Sequence, residues 1–552
     1  MPLTLSNPGV YIQEIPSPVH TIAAVPTAVA AFVGRARRGL VNTPIRISSP
    51  ADFERAFGPV WNQSELGYAV QQYYLNGGAD AYVVRAITQL TLSNFNASPP
   101  YLALPAGAGQ FLRIQPNSPG TWFTNLNPRA VTLAVDWNTR LVSGQRIPSE
   151  FNLTFTLTEI DPVTSAANVT TETFRNVSVD SASPNYVFTV LSNSSKFILA
   201  VDPKTYAFPA NPPTASAVGA PYDFKNNGVG AGDDGSPLGH GDLTDTGGAL
   251  QTNKQGIYAL EDAEIFTLLI LPPYSPAEAV VTGTIDLDPN GTQNIWSNAL
   301  QYCQQHRAML LIDPPSTWAD ANGALTALTA GSPLVRDPNS VAYFPWLNFG
   351  DPLLNNQPRP FAPSPAMAGL MASIDSTRGV WKAPAGQEAV VRGAVSPVYN
   401  LTDAENGWLN PLALNCIRTF PIIGSVVWGA RTLDGSDIQA SQWKYLPVRR
   451  TALFIEQSLY QGTQWVVFEP NDEPLWSQIR LNVGAFMRSL FRQGAFQGAT
   501  PQQAYFVKCD SDTTTQNDID NGIVNILVGF APLKPAEFVV IKISQIAGNI
   551  QT

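Results

Sequence analysis

Glu264-Ile-Phe-Thr-Leu-Leu-Ile-Leu271 and Ala308-Met-Leu-Leu-Ile312 are two largely apolar runs, and prolines follow closely after each of them. Between them, residues 295–306 have the pattern of a helix. Continuous apolar runs of this length are typical of strands that are buried on both faces of a parallel sheet. Parallel neighbours need a crossover connection, which is usually a helix. The order strand, helix, strand therefore predicts a βαβ unit and a mixed α/β fold class.

Similar patterns extend this core toward both ends of the chain. Further predicted strands are residues 81–87, 341–347, 463–468, 522–531 and 537–545. Further predicted helices are residues 50–58, 65–75, 449–461 and 474–493. The first of these helices ends at Gly58, a residue type that is frequent just past a helix C-terminus.

The helix predicted over 474–493 is the longest and the most clearly amphipathic. Its apolar residues recur at three- and four-residue steps and form one stripe, namely Trp476, Ile479, Val483, Phe486, Met487 and Leu490. Arg480, Arg488 and Arg492 fall outside the stripe on a shared basic face. The plain interpretation of these arginines is a solvated face, and the alternative is an electrostatic contact with an acidic partner.

The middle of the chain has a different composition, rich in Thr, Asn, Ser and Pro. Residues 151–158 and 186–191 alternate in the manner of half-buried strands. We therefore expect residues 91–255 to form a β-rich domain that is inserted into the α/β part. Its last stretch, residues 226–248, is predicted to be a glycine-rich loop.

Composition and charge argue against several classes of protein. Only 13% of the 552 residues are charged, and 42 acidic residues outnumber 32 basic ones, which leaves a net charge of −10. Nucleic-acid binding needs a concentrated basic surface, so we expect no nucleic-acid partner. The N-terminal residues lack the pattern of a signal peptide, and the longest apolar runs are far below the roughly 20 residues of a membrane helix. We expect a reduced protein that is made in the cytoplasm and does not insert directly into membranes.

Few residues suggest a chemical site. The GxGxxG pattern at Gly230 to Gly235 lies in a polar loop, whereas a dinucleotide site needs a strand before it and a helix after it. Calcium is a weaker alternative in the same loop, with the candidate ligands Asp233, Asp234, His240, Asp242 and Asp245. Cys303 and His306 share one predicted helix, where core packing is the better interpretation. No GxSxG, HExxH or Walker motif occurs in the sequence. We expect no catalytic residues, no metal and no cofactor.

Two predicted strands near the chain ends have no local partner. The first comprises Val10, Tyr11, Ile12, Gln13, Glu14 and Ile15. The second comprises Phe538, Val539, Val540, Ile541, Lys542 and Ile543. Because a free apolar edge strand invites aggregation, each must pair with a distant part of the chain or with another chain.

Both ends of the sequence carry several distinctive motifs. Near the N-terminus these are Pro8-Gly9-Val10-Tyr11-Ile12-Gln13-Glu14-Ile15-Pro16-Ser17 and Thr27-Ala-Val-Ala-Ala-Phe32-Val33-Gly34. In the C-terminal part they are Gly379-Val-Trp381-Lys-Ala-Pro384-Ala-Gly386, Val427-Trp428-Gly-Ala-Arg431-Thr432, Arg449-Arg450, Phe454-Ile-Glu456, Gln464-Trp465-Val-Val-Phe468-Glu469-Pro470-Asn471-Asp472-Glu473, Phe506-Val-Lys508-Cys509-Asp510 and Gly522-Ile-Val-Asn-Ile-Leu-Val-Gly-Phe530-Ala531-Pro532. In combination these motifs resemble the sheath proteins of contractile phage tails and of related extracellular contractile injection systems. Residues 91–255 match nothing in the family, as is common for its variable outer domains.

The resemblance implies a structural subunit rather than an enzyme. It implies a sheath core that is built from both chain ends, with an inserted β-rich outer domain. Terminal arms would add strands to neighbouring subunits, so that six-membered rings stack into a helical polymer around an inner tube. Further implied partners are baseplate proteins and tail terminator or cap proteins. Contraction from a metastable extended state would drive the tube through a target envelope, and Arg480, Arg488 and Arg492 are the candidates for the surface that faces the tube.

The resemblance also divides the chain into segments. These are an N-terminal arm (1–20), an N-terminal part of the core (21–90), the inserted domain (91–255), an α/β domain (256–350), a C-terminal core domain facing the tube (351–535) and a C-terminal arm (536–552). The subunit would belong to a phage virion tail or to an injection particle that is released or anchored at the cell envelope. The alternative function is a tail-associated β-rich protein that binds or cleaves glycans through residues 91–255.

Overall fold

The structure, a computed structural model, describes residues 20–124, 130–245, 247–273, 286–288, 294–331 and 333–542. The chain forms two units. The larger unit consists of Ala28–Ile374 and Pro384–Lys444, and the smaller unit consists of Met1–Thr27, Asp375–Ala383 and Tyr445–Thr552. The six predicted segments divide the chain differently, and their boundaries stay predictions.

An eight-stranded sheet is the centre of the larger unit. From one edge to the other its strands are Pro44–Ile47, Ala81–Arg85, Ala30–Gly34, Leu268–Ile270, Met309–Ile312, Ser340–Phe344, Asn415–Phe420 and Gly424–Val427. The six inner strands run parallel to one another, and the two edge strands are antiparallel to their neighbours. Helix Ile295–Gln305 connects Leu268–Ile270 to Met309–Ile312. The predicted βαβ unit and the mixed α/β fold class are confirmed.

The inner strands form because their side chains are apolar on both faces. Every residue of Ala30–Gly34, Ala81–Arg85 and Met309–Ile312 is buried. Local sequence sets where the helices around them begin and end. At the start of Pro50–Phe57 the Ser49 side chain accepts a hydrogen bond from the Asp52 N–H group at 3.2 Å. Gly58 follows with a φ of 89°, in the left-handed region that glycine tolerates.

The other elements of the larger unit complete its layers. Among the described residues, its remaining α-helices are Leu66–Leu75, Gln89–Ala97, Val187–Ser194, Phe224–Asn227, His240–Leu243, Ala249–Thr252, Ala321–Thr329, Asp403–Leu409 and Ser364–Arg378, whose last turn is assigned to the smaller unit. Its 3-10 helices are Gly256–Asp262, Pro352–Leu354 and Asn410–Leu412. A three-stranded sheet has the order Gln357–Phe361, Leu347–Asp351, Ala394–Pro397.

Two four-stranded antiparallel sheets lie between Ala81–Arg85 and Leu268–Ile270 in the sequence. The first has the order Ala167–Ser178, Glu150–Ile160, Ala130–Asp136, Tyr222–Asp223, and the second has the order Ile198–Ala200, Phe111–Pro116, Tyr101–Pro105, Gly228–Val229. They share one apolar core, in which Trp122 and Phe155 are fully buried, and a short hairpin pairs Leu141–Val142 with Gln145–Arg146. We call residues 101–229 the insertion.

One strand prediction in the insertion is wrong. Residues 186–191 lie largely in helix Val187–Ser194, which buries Val187 and Leu191. These two residues are four apart, so the same short apolar run fits one face of a helix as well as a strand.

The smaller unit is built on two long helices, Leu446–Gly462 and Glu473–Arg492. Short helices, Pro501–Ala504 and Gln516–Asp520, and a two-stranded antiparallel sheet, Tyr505–Lys508 with Leu527–Phe530, complete it. The strand predicted over 463–468 is wrong, because residues Gln464–Val466 form a 3-10 helix in which the Val466 N–H donates to the Thr463 carbonyl oxygen at 3.0 Å. The strand predicted over 522–531 is shorter than expected and covers only Leu527–Phe530.

The strand predicted over 537–545 has no counterpart in the single chain as far as residue 542, and its last residues lie outside the described part. Among the described helices, none combines the length and the apolar character that crossing a membrane requires.

Candidate assembly surface

Helix Glu473–Arg492 begins at a well-defined cap. The Asp472 side chain accepts a hydrogen bond from the Leu475 N–H group at 3.3 Å, and Pro474 occupies the first turn, where its missing N–H group has no intrahelical role. Asn471 directly precedes the cap. Its side chain accepts a hydrogen bond from the Trp476 indole at 2.9 Å and donates to the Ile523 carbonyl oxygen at 3.0 Å. These contacts hold the start of the helix against the chain that leads to Leu527–Phe530.

The apolar stripe predicted for this helix is buried as expected. Leu475 and Asn482 are also buried on the same face, and the sequence analysis did not include them. Asn482 lies three residues after Ile479 and four before Phe486, so the rotation of 100° per residue could have placed it there.

The three arginines of the helix have different surroundings. The Arg480 guanidinium donates to the Glu473 carboxylate and to the Cys509 carbonyl oxygen. The hydrogen bond to Glu473 raises the pKa of Arg480, which is therefore cationic at any physiological pH. Arg488 and Arg492 are exposed, and the residues that the structure describes form no ion pair with either of them. The predicted shared face thus has two free cations and one that is held by the protein.

The described part of the C-terminal segment is exposed and apolar. Phe538, Val539, Val540 and Ile541 are 72–81% exposed, and Lys542 is exposed beside them. Just before them, the Tyr445 hydroxyl contacts Glu537 Oε2 at 3.2 Å. Residues 538–542 make no strand pairing with the described residues, and Ile543 lies outside the described part.

The two-stranded sheet is the nearest element in sequence that can accept an added strand. Within the described residues, Tyr505–Lys508 and Leu527–Phe530 pair only with each other, so each has a free edge. Phe506 and Leu527 are half-exposed apolar residues of this sheet. Isolated two-stranded sheets are marginally stable, and a further strand strengthens them.

The other predicted arm, from Val10 to Ile15, lies outside the described residues, but the chain that follows it is anchored. His20 stacks on Trp465 with 4.1 Å between ring centroids. The Val25 N–H donates to Ser458 Oγ at 3.2 Å, and the Thr27 carbonyl oxygen accepts from Arg450 at 3.0 Å. Any arm that precedes residue 20 therefore starts from a fixed point on helix Leu446–Gly462 and its C-terminal turn.

A buried ion pair stabilises the same anchor. Arg450 donates to both carboxylate oxygens of Asp375, at 2.9 and 2.6 Å, and both side chains are almost fully buried. The sequence analysis quoted Arg449-Arg450 but assigned no role to Arg450. Two-point pairing of this kind is the strongest hydrogen-bond geometry of arginine.

Two carboxylates of the glycine-rich loop accept hydrogen bonds from neighbouring segments of the chain. Asp234 accepts from the Thr121 N–H and hydroxyl groups, both at 2.7 Å. Asp242 accepts from the N–H groups of Gly239 and Gln89 at 2.8 and 3.1 Å. In the described part of the chain, no group of three or more His, Cys, Asp or Glu side chains is arranged to hold a metal ion. Cys303 is buried, and burial raises the pKa of its thiol, as expected for a core residue.

Comparison with known sequences places this surface in a known domain. Residues 439–546 match the family model of the phage tail sheath C-terminal domain. A putative prophage major tail sheath protein of Pseudomonas aeruginosa (strain UCBPP-PA14) is 25% identical over 275 residues, which cover 49% of this chain and 62% of that protein. The tail sheath protein of Burkholderia phage BcepMu is 32% identical over 135 residues, which cover 24% of this chain and 28% of that protein. Both alignments thus span less than two thirds of the relative.

Comparison with solved structures extends the similarity to nearly the whole chain. The sheath of the extracellular contractile injection system PVC in the contracted state aligns with 99% of both chains, at 22% identity and a TM-score of 0.55. The helical sheath of the anti-feeding prophage in the contracted state aligns with 98% of this chain and 100% of that chain, at 21% identity and a TM-score of 0.54. A sheath tail protein from Listeria innocua aligns with 93% of this chain and 96% of that chain, at 12% identity and a TM-score of 0.54.

The fold is therefore that of contractile sheath subunits. Within it, residues 439–546 match the phage tail sheath C-terminal domain, and the resemblance to the contractile tail sheath family is confirmed.

Proposed function

We propose that the chain is the structural subunit of a contractile sheath and that it polymerises with copies of itself. The observation that carries this proposal is the segment from Phe538 to Ile541. Four consecutive apolar side chains, each at least 72% exposed, lie within the matched sheath domain. Exposed apolar surface of this extent is a typical mark of a protein interface.

The mode of contact that fits this segment is β-strand addition. An added strand supplies main-chain hydrogen bonds to a free sheet edge, and its alternate side chains enter pockets on the two faces. The free edges of Tyr505–Lys508 and Leu527–Phe530 are suitable acceptors. The two arms, residues 10–15 and 538–543, would then link each subunit to neighbours. Contacts between unlike surfaces form a closed ring where the rotation closes and a helical polymer where it does not.

The motion of such a polymer needs no change of fold. Two packings of the same folded subunits differ in free energy, and the extended one is metastable. A trigger at the baseplate would let the stack of six-membered rings shorten along its axis and drive an inner tube through a target envelope. The similarity to two sheaths in the contracted state supports this mechanism.

The partners follow from the same proposal. Besides its own copies, the subunit would contact an inner tube protein, baseplate proteins and a tail terminator or cap protein. Arg488 and Arg492 are the better candidates for the tube-facing surface, because Glu473 and the Cys509 carbonyl oxygen already engage Arg480. The subunit would be made in the bacterial cytoplasm and would function in a phage tail or an injection particle. The similar proteins are described as tail sheaths and as an injection-system sheath, which supports this location.

Negative-stain electron microscopy of the purified chain tests the proposal. We expect hollow striated tubes from the intact chain and discrete particles from variants that lack residues 1–20 or residues 536–552. A point variant, Val539→Asp with Ile541→Asp, should also lose assembly, whereas Leu481→Asp, at an exposed apolar position outside the arm, should keep it. Discrete particles from the intact chain, over a range of salt and protein concentration, would refute the proposal.

A further inference from the structure

A surface cavity of about 240 Å³ lies in the smaller unit. Residues from three parts of the unit line it, including Ile22, Phe454, Phe486 and Leu490. Asn482 and Gln493 contribute polar groups to the same walls. An apolar cavity of about 150 Å³ is large enough to bind benzene, so this cavity has room for an aromatic ring and part of a backbone.

Asn482 gives the cavity a chemical preference. The side chain is only 3% exposed, and neither its Oδ1 nor its Nδ2 atom has a hydrogen-bond partner among the described residues. Burying an amide without partners is destabilising. A backbone segment that offers one N–H group and one C=O group from successive peptide units can satisfy both atoms. The fitting occupant is therefore a peptide segment that carries a large apolar side chain.

The turn before helix Glu473–Arg492 presents such a segment. Phe468 is fully exposed and adopts a φ of 71°, a left-handed conformation that is unusual for a bulky residue. Its neighbour Val467 is also exposed. In the described part of the chain, the N–H and C=O groups of Phe468 have no hydrogen-bond partner. The turn thus displays an aromatic ring beside one free donor and one free acceptor.

Strained backbone at an exposed apolar residue is a mark of a functional contact. We propose that Phe468 of one subunit inserts into the Asn482 cavity of a second copy of this chain. The ring fills the apolar part, and the backbone of the projecting turn supplies polar groups to the Asn482 amide. A projection that fits a pocket elsewhere on the same molecule makes a head-to-tail contact and propagates. This inference rests on the proposed self-assembly, and it adds a contact that is separate from the terminal arms.

Assembly measurements on single and double variants test the contact. Phe468→Ala and Asn482→Leu should each raise the critical concentration for tube formation at least about tenfold, as expected for the loss of an aromatic anchor at an interface. Because both remove the same contact, the double variant should be no worse than either single variant. Asn482→Leu should also raise the melting temperature of the unassembled subunit, because the unpaired amide is gone. Tyr460→Ala, which truncates another exposed aromatic residue of the smaller unit, is the control and should leave the critical concentration unchanged.

A covalent test keeps Phe468 and Asn482 intact. Glu469→Cys next to the projection and Gln493→Cys at the cavity should form disulfides between copies on oxidation, giving a ladder of multimers on a denaturing gel. The three native cysteines are buried and do not contribute. Glu469→Cys with Asp512→Cys is the control and should stay monomeric on the gel.

The outcomes separate this inference from the proposed function. Wild-type tubes whose critical concentration does not respond to Phe468→Ala and Asn482→Leu would overturn the inference alone. A wild-type chain that never assembles and a cysteine pair that never cross-links would overturn both.

Discussion

Replacing Asp313 with asparagine should stabilise the larger unit by an amount that grows with pH. Asp313 directly follows strand Met309–Ile312, and its carboxylate accepts hydrogen bonds from the N–H and hydroxyl groups of Ser364 at 2.9 and 2.6 Å. Burial raises the pKa of this carboxyl from 3.8 to about 7, and the nearby Asp286 adds to the rise. The two hydrogen bonds from Ser364 lower the pKa but do not offset the loss of hydration.

The direction of the pH effect follows from proton linkage. Below pH 3.8 the carboxyl is protonated in both the folded and the unfolded chain. Between pH 3.8 and about 7 the folded chain keeps a proton that the unfolded chain has released, so stability falls as pH rises. Above about pH 7 both states are ionised and the dependence ends. The difference between the two pKa values corresponds to about 4 kcal/mol.

Asp313→Asn removes this penalty while keeping the geometry. The amide oxygen accepts from the Ser364 N–H, and the amide nitrogen donates to the Ser364 hydroxyl oxygen. We expect wild type and variant to be nearly equal near pH 4, and the variant to be more stable by up to about 4 kcal/mol at pH 8. Urea denaturation at a series of pH values, below the concentration of assembly, measures the difference.

Glu264→Gln is the matched control, because Glu264 is largely exposed and its neutralisation should change stability little at any pH. A difference between Asp313→Asn and wild type that is the same at pH 5 and pH 8 would show that the folded chain does not retain the proton.

Two other predictions concern the smaller unit. Arg450→Met leaves the buried Asp375 carboxylate without its partner and should lower the free energy of unfolding by about 3–5 kcal/mol in urea denaturation. The control Arg488→Met, at an exposed site, should change the free energy of unfolding little. Similar values for the two variants would exclude a stabilising role of the Arg450–Asp375 pair. Arg488→Glu with Arg492→Glu should leave tube formation by the isolated protein intact and abolish co-sedimentation with the inner tube protein. The charge-matched control is Lys196→Glu with Lys204→Glu in the insertion, and equal binding by both double variants would remove these arginines from the tube contact.

The sequence predicts best where one local pattern has one structural solution. The run from Phe266 to Leu271 is too short and too continuously apolar for a surface helix, so the βαβ unit follows from it. The position of Ala30–Gly34 between Ala81–Arg85 and Leu268–Ile270 does not follow, because it joins residues about 50 and 240 positions apart. Short runs such as 186–191 and 463–468 fit either a helix or a strand, and only their packing decides.

The assembly surface divides in the same way. The amphipathic pattern of 474–493 predicts which side chains of the long helix are buried, and the apolar end of the chain predicts a segment in need of a partner. The conformation of Phe468 could not be predicted, because neither composition nor periodicity indicates a left-handed backbone at a phenylalanine. The unpaired amide of Asn482 could not be predicted either, because it depends on the absence of hydrogen-bond partners on the described elements that surround it.

The insertion has a consequence for protein engineering. It leaves the central sheet after Ala81–Arg85 and returns before Leu268–Ile270, and its core is a separate cluster from that of the sheet. A foreign domain with closely spaced ends can therefore replace it without altering the register of the central strands. Buried polar contacts between the insertion and the rest of the unit limit the exchange, and one of them is an ion pair. Arg38 is buried and donates to Glu159 of the insertion at 2.9 Å, so any substitute domain must supply a carboxylate at that point or arrive together with a neutral residue at position 38.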